Sequence, residues 1–226
     1  MGVLDRSVTI LEAVRGGSRT FAAIAAATGL TRPTAHRLLR ALEAHGLLLQ
    51  APGVGYVLGP RLLDLAAAAR TDLPLRALAR PALERLAADT GESAQLYVRE
   101  GDRRICLDAV ESAHELRTIV DVGASLPLTK GSAGTVLLAW SPPDDLSRSA
   151  ATRLAAVRRR GWIDSHGERQ TGVASLSAPV LGPGGELLAA ISISAPEGRL
   201  GAGRARRTAP RLLDAARAVE QAVRGD

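Results

Sequence analysis

Residues 29–48 read "GLTRPTAHRLLRALEAHGLL", and the first part of this stretch gathers Thr31, Arg32, Thr34, His36 and Arg37. These side chains share one chemistry: all can donate hydrogen bonds, and two are permanently charged. Arginine bonds guanine through paired donors or neutralises a phosphate, while Thr and His serve either partner. A helix held only by core packing has no use for donors collected at its start. Double-stranded DNA is therefore the expected partner. Arg32, Thr34 and His36 are assigned to the groove side, Arg37 to a phosphate or a structural bond, and Thr31 to the cap. A solvated three-helix protein-binding module is the competing reading.

A second set lies in "GVASLSAPVLGPGGELLAAISISAP", residues 172–196. Gly182–Gly185 marks a turn, so two strands pair across it. If Leu181 opposes Glu186, then Ser175 faces Ser192 and Val173 faces Ser194, and strand alternation puts all four on one face. Hydroxyls on an otherwise apolar sheet face suit a small polar ligand. Ser132 is read as the cap of a helix over 132–140, whose free N–H groups would attract an anion. Together these would hold a small carboxylate; serines merely solvated on an outer face are the alternative.

Other chemistry has little support. Cys106 is the only cysteine, so no intramolecular disulfide or zinc-finger set is available. Within "RRICLDAV" it reads as a packed strand residue rather than a nucleophile, even with His114 or His166 as a hypothetical base. "GPGGE" is too short for a phosphate loop, and no HExxH, GxSxG or paired-carboxylate pattern occurs. The histidines at 36, 45, 114 and 166 are scattered. No enzyme, metal or cofactor is expected.

The elements that must position these residues follow from periodicity. Leu4, Val8, Leu11 and Val14 or Ile10 mark a helix over 4–15, ended by Gly16-Gly17. Thr20 caps "FAAIAAATG", and Gly29 supplies its left-handed end. Pro33 falls in the first turn of the third helix, where its missing N–H does no harm. That helix keeps Leu38, Leu39 and Leu42 inward and stops at His45-Gly46. "LLLQAPGVGYVLG" gives two short strands around Pro52-Gly53. This order is that of a winged helix-turn-helix, whose third helix enters the major groove.

A connecting helix is expected from 60 to about 70 on Leu62, Leu63, Leu65 and Ala66. After a break at Pro74, another should run to Gly91 with Leu75, Leu78, Leu83 and Leu86 inward. Strands are expected at 93–100, 103–110 and 117–123, the first two joined at Gly101-Asp102. Helices should follow at 132–140 and 145–160. The final helix includes "RTAPRLLDAARAVEQAVRG", and Arg204, Arg206, Arg207 and Arg211 at its start read as a solvated face or an oligomer contact. The expected spans are a DNA-binding domain at 1–59, a linker helix at 60–72 and a second domain at 73–226.

Composition agrees. The 226 residues are 46% hydrophobic and 23% charged, an ordinary globular balance. Residues 1–70 carry eight arginines against four acids, and the rest of the chain is nearly neutral, which weighs against a nonspecific architectural binder. With aromatics at 2%, stacking on single strands is not expected. "MGVLDRSVTILEAVRGG" is too short and charged for a signal peptide, and no run approaches about 18 apolar residues. A cytoplasmic protein with no membrane partner is expected.

By their order and spacing, "AAIAAATGLTRPTAHRLLRALEAHGLL", "YVLGPRLLDLA", "LARPALERLAADTGES", "SLPLTKGSAGTVLLA", "GERQTGVASLSAPV" and "AAISISAP" resemble the IclR family of bacterial transcription regulators. The resemblance implies an α+β protein: an N-terminal winged helix-turn-helix, a linker helix and a C-terminal GAF-like α/β effector-binding domain. It also implies homodimers or homotetramers on partly palindromic operators. Family effector contacts carry over onto Thr118, Leu126, Ser132, Ala133, Ser165, Val173, Ser175, Ser192 and Ser194. Thr135 stands for a common Lys, Ser175 for a frequent Cys, and Ser165 where some members carry an acid. "GESAQLYVREGDRRICLDAVES" and "VRRRGW" resemble an actinobacterial subgroup linked to leucine and wider amino-acid biosynthesis control.

Overall fold

The computed structural model describes residues 2–142 and 147–225, and its contacts divide the chain into two compact units, Met1–Asp72 and Leu73–Asp226. In the first, α1 (Val3–Arg15), α2 (Phe21–Thr28) and α3 (Arg32–Ala44) precede a hairpin of β1 (Leu48–Ala51) and β2 (Gly55–Leu58), then α4 (Arg61–Asp72). Thr20 caps α2 by accepting from the Ala23 N–H at 3.1 Å, and Gly29 ends it at φ 64°, a left-handed backbone that favours glycine.

Ala35, Leu38, Leu39 and Leu42 form the buried stripe of α3 at i, i+3, i+4 and i+7. With Ile10, Val14, Ile24 and Leu48 they make the core of this unit. Truncating a fully enclosed residue such as Leu39 to alanine would cost about 2–5 kcal/mol. Leu4 and Val8 do not join this core: they are 75% and 48% exposed. The inward face of α1 runs through Ile10 and Val14 instead, because α2 and α3 cover only its C-terminal half. Gly55, at φ 94°, lies so close to the Arg19 carbonyl that a Cβ would sit 2.2 Å from its oxygen. The Tyr56 N–H then donates to that carbonyl at 2.8 Å, fastening the wing to the turn between α1 and α2.

The second unit is an antiparallel six-stranded sheet with helices on both faces. Its elements are α5 (Pro74–Thr90), β3 (Ser93–Glu100), β4 (Arg103–Val110), β5 (Ser125–Pro127), α6 (Ser132–Trp140), α7 (Arg148–Arg160), β6 (Ile163–His166), β7 (Val173–Leu181), β8 (Leu187–Pro196) and α8 (Ala202–Arg224). Strand order is β5-β4-β3-β8-β7-β6. One face packs Leu96, Leu176, Ile191 and Ile193 against Leu83 and Leu86 of α5 and Leu212 and Val219 of α8. The other packs Tyr97, Cys106 and Ala190 against Val136 and Leu137 of α6. Leu78 of α5 is 38% exposed, so the inward set there is Ala79, Ala82, Leu83 and Leu86.

Two expectations are corrected, and a third falls partly outside the described residues. Residues 117–123 form no strand, although their β-branched content suggests one. The edge of β4 is taken by β5, and Cys106 bonds to Ala124 and Gly123 just beyond it. The start of the helix expected at 145 lies outside the described residues; α7 begins at Arg148, with Ser147 accepting from the Ala150 N–H. In the hairpin, Leu181 pairs with Leu187, with an irregularity between Val180 and Leu181. Ser175 therefore faces Ser194, Ser177 faces Ser192 and Val173 faces Pro196. This slip of two residues preserves parity, so the serines keep their common face.

A bulge in β4 has a further effect. Leu96 pairs with Asp108 and Tyr97 with Cys106, leaving Leu107 unmatched. Cys106 thus joins the α6 side, whereas Asp108 bonds to Arg76 and Arg80 of α5.

Candidate DNA-reading helix and effector cavity

On α3 the buried stripe leaves the opposite arc to solvent. Arg32, His36, Arg37 and Arg40 are exposed, and none forms an ion pair with a carboxylate among the described residues. The helix has Pro33 in its first turn and Thr31 at its cap position, without a side-chain capping bond. The Thr31 hydroxyl donates to the Thr34 hydroxyl at 3.0 Å. Thr34 is half-buried, at the edge of the exposed arc.

Phe21 of α2 organises the other edge. The Arg32 guanidinium lies 5.6 Å from its ring centre, and the His36 ring is 6.4 Å away, tilted by 59°. Arg37 occupies the middle of the exposed arc, and Arg40, one turn beyond His36, extends it. Helical spacing alone could have placed Arg40 in the set. Four donors thus project from a helix end backed by a wing.

The cavity lies on the α6 face of the sheet. Its lining includes Ser132, Ala133, Ser165, Val173, Ser175, Ser192 and Ser194 from the expected set, together with Gln95, Tyr97, Arg104 and Arg169. Strand register lays the polar groups in two transverse rows. One runs Ser165, Ser175, Ser194 and Ser93 across β6, β7, β8 and β3; the next runs Ser177, Ser192 and Gln95. Gln95 escaped the sequence reading because it was not linked to this sheet face; Ser177 was legible as a same-face neighbour of Ser175, and only its pairing with Ser192 needs the true register.

Ser132 is the first residue of α6 and not its cap; the cap position belongs to Gly131, at φ 83°. The Ser132 hydroxyl instead reaches the sheet, 2.7 Å from both Ser175 Oγ and Ser177 Oγ. Ser177 continues to Ser192 at 2.9 Å, and Ser194 exchanges bonds with the Gln95 amide at 3.0 and 3.2 Å. These groups satisfy one another while nearly sealed from solvent. The remaining free space is about 20 Å³, little more than one or two waters require. A larger ligand must part the serine contacts to enter.

Thr118 and Leu126 are not brought to the cavity lining. Leu126 sits in β5 opposite Arg104. Thr118 is tied through its carbonyl, which accepts from Ser93 Oγ at 2.7 Å beside the first row. At the start of α6, the Gly131 N–H donates to Glu168 Oε2 at 2.9 Å. The N–H groups that follow it have no partner within the helix. Burial holds the Tyr97 hydroxyl far above its ordinary pKa, so it stays protonated.

Comparison with known proteins finds family matches in both units. The family model described as the IclR helix-turn-helix domain matches residues 3–52, and that described as bacterial transcriptional regulator IclR C-terminal matches residues 67–221. The chain is 34% identical over 182 residues to the HTH-type transcriptional regulator TtgV of Pseudomonas putida, covering 76% of this chain and 70% of that protein. It is 32% identical over 217 residues to the glycerol operon regulatory protein of Streptomyces griseus, covering 87% and 85%. An IclR homologue complexed with 4-hydroxybenzoate, from Microbacterium hydrocarbonoxydans, superposes with TM-score 0.75 at 26% identity over 100% of both chains. An IclR family regulator from Brucella abortus, at 23% identity and TM-score 0.85, covers 99% of this chain and 92% of its own and shares the fold. No helix among the described residues is long and apolar enough to cross a membrane. With matched segments in both units, the chain belongs to the IclR family of bacterial transcriptional regulators.

Proposed function

We propose that this regulator reads operator DNA with the exposed face of α3 and that a small carboxylate in the cavity alters that binding. The observation that carries the DNA half is the exposed donor face of Arg32, His36, Arg37 and Arg40, with three permanent positive charges, on a helix whose other side is wholly committed to the core. Arg32, Thr34 and His36 face the groove, where they contact base edges or phosphates, Arg37 bonds a phosphate, and Thr31 stands at the start of the helix. The ligand half rests on Ser132, Ala133, Ser165, Val173, Ser175, Ser192 and Ser194 lining one enclosed polar cavity. The carboxylate of 4-hydroxybenzoate in a related structure is consistent with that chemistry.

A homodimer or homotetramer is part of this reading. Val3, Leu4 and Val8 of α1, and Leu63 and Leu65 of α4, are large apolar side chains left exposed, as a subunit contact requires. The ligand acts only through a difference in its affinity for the DNA-bound and free arrangements. Control of leucine or other amino-acid biosynthesis genes is the pathway that the "GESAQLYVREGDRRICLDAVES" and "VRRRGW" stretches favour. DNA-protection mapping upstream of the protein's own gene and its neighbours, with and without candidate acids, tests both halves. Protection that small carboxylates change supports the reading; protection indifferent to every acid removes the ligand half.

A further inference from the structure

Arg104 lines the cavity with 3% of its surface exposed. Its Nη1 donates to the carbonyls of Pro127 and, at 2.7 Å, of Lys130. Its Nε is buried and bonds to no protein atom. Among the described residues, none of the ion pairs includes it. A buried charge without a counter-charge is among the costliest arrangements in a folded protein.

The Tyr97 ring, its centre 5.4 Å from the guanidinium carbon, and the two carbonyls offset part of this charge, but no carboxylate pairs with it. The guanidinium is lodged at the N-terminal end of α6, the positive end of the helix dipole. Glycines make the approach possible: a Cβ on Gly134 would lie 2.7 Å from Arg104 Nη1 and 2.1 Å from the Leu128 carbonyl oxygen, and one on Gly131 would lie 3.5 Å from Nη2. Arg169 lines the same cavity. Glu168, the acid that reaches this helix end, spends one oxygen on the Gly131 N–H and sets the other 3.6 Å from Arg153. Burial first, with Arg169 adding to it, holds the Arg104 guanidinium below its ordinary pKa.

We propose that Arg104 is the residue that makes this cavity select an anion, pairing with the carboxylate of a small monocarboxylate ligand. This deepens the effector reading above and rests on it. Arg104 supplies the charge, the N–H groups of the first turn of α6 supply further donors, and the serine rows with Gln95 bond the ligand's other polar atoms. An uncharged amide of the same shape leaves the guanidinium uncompensated and is rejected.

The test uses the full chain and three acid–amide pairs: acetate and acetamide, propionate and propionamide, benzoate and benzamide, all at ionic strength matched with sodium chloride. Thermal unfolding should show at least one acid raising the midpoint while its amide does not. Arg104→Gln should abolish that difference, and Arg104→Lys should retain part of it. Because Arg104→Gln also removes the bonds to Pro127 and Lys130, arginine-labelled wild-type protein gives an independent readout by ¹⁵N NMR. Its Arg104 Nε–H signal, assigned by its loss in Arg104→Lys, should move with the acid and not with the amide. Equal responses to acid and amide, a response to chloride alone, no response to any acid, or an Nε–H signal unmoved by a bound acid would each overturn the assignment. An acid that binds through Arg104 yet leaves operator affinity unchanged removes the effector reading and leaves Arg104 as the anion site.

Discussion

Ser132 Oγ lies 2.7 Å from Ser177 Oγ, joining the first turn of α6 to the middle of β7. Ser177 is fully buried and passes the chain on to Ser192 of β8. The contact ties the helix that bounds the cavity to the sheet that floors it. Removing the Ser177 hydroxyl should therefore loosen the site even without ligand. Ser177→Ala is expected to cost about 1 kcal/mol in urea denaturation, the usual net worth of such a bond, and to weaken ligand binding. Unchanged stability would mean that the row contributes no coupling.

The four exposed donors of α3 should separate by salt. A side chain that reads a base loses about 1–3 kcal/mol of operator affinity on truncation, with specificity relaxed at one position. One that neutralises a phosphate weakens all sequences alike and lowers the salt slope by about one charge. Arg40→Ala is expected to behave in the second way and Arg32→Ala in the first. Titrations against operator and scrambled DNA at several salt concentrations distinguish them. Indifference of both variants would place DNA reading elsewhere.

Asp108 is the buried hub of the β4–α5 contact. Its Oδ1 accepts from Arg76 at 3.2 Å, Arg80 at 3.3 Å and the Ala109 N–H at 3.0 Å, with the residue itself 0% exposed. Breaking a buried pair by deleting one partner costs about 3–5 kcal/mol, because the remaining charges lose their compensation. Both arginines here are partly exposed, at 22% and 41%, so water relieves part of that cost. Asp108→Ala should lose about 2–3 kcal/mol in the same denaturation assay. A loss within error would show that the arginines are fully satisfied by solvent.

The lone thiol gives a pH test. Burial, then the charges of Asp108 and Asp121, push Cys106 up from 9.0 to about 12. Between these values the unfolded chain has released the thiol proton while the folded chain still holds it. Stability must then fall as pH rises through this window. Cys106→Ala should flatten that part of the stability profile. Near neutral pH, iodoacetamide should modify Cys106 only as fast as the protein opens. Rapid alkylation of the native state would reopen a reactive role.

Most local structure was legible from short-range chemistry. Thr20, Gly29 and Gly91 marked helix ends because caps and left-handed positions restrict which residues fit. The winged helix-turn-helix followed from such signals in order. Tertiary choices were less accessible. The 117–123 run has strand-forming residues, yet no partner strand is available over it. The short edge strand β6, opposite the first half of β7, carries no pattern of its own. Ser132 looked like a cap because hydroxyls suit that position, but the sheet offered it two other hydroxyls. Arg104 was invisible as a site residue: "RRICLDAV" does not reveal which arginine turns inward, and only the packed fold shows Arg103 bonding to Ser125 while Arg104 enters the cavity.

The most direct test is a fluorescence-anisotropy titration of the full chain on the operator found by protection mapping, run at fixed salt with scrambled DNA as reference. Wild-type protein should prefer the operator by about a thousandfold or more, and Arg32→Ala or Arg37→Ala should each weaken operator binding by roughly tenfold or more. Equal affinity for both DNAs, or operator binding untouched by either substitution, would contradict the assignment of α3 as the reading element.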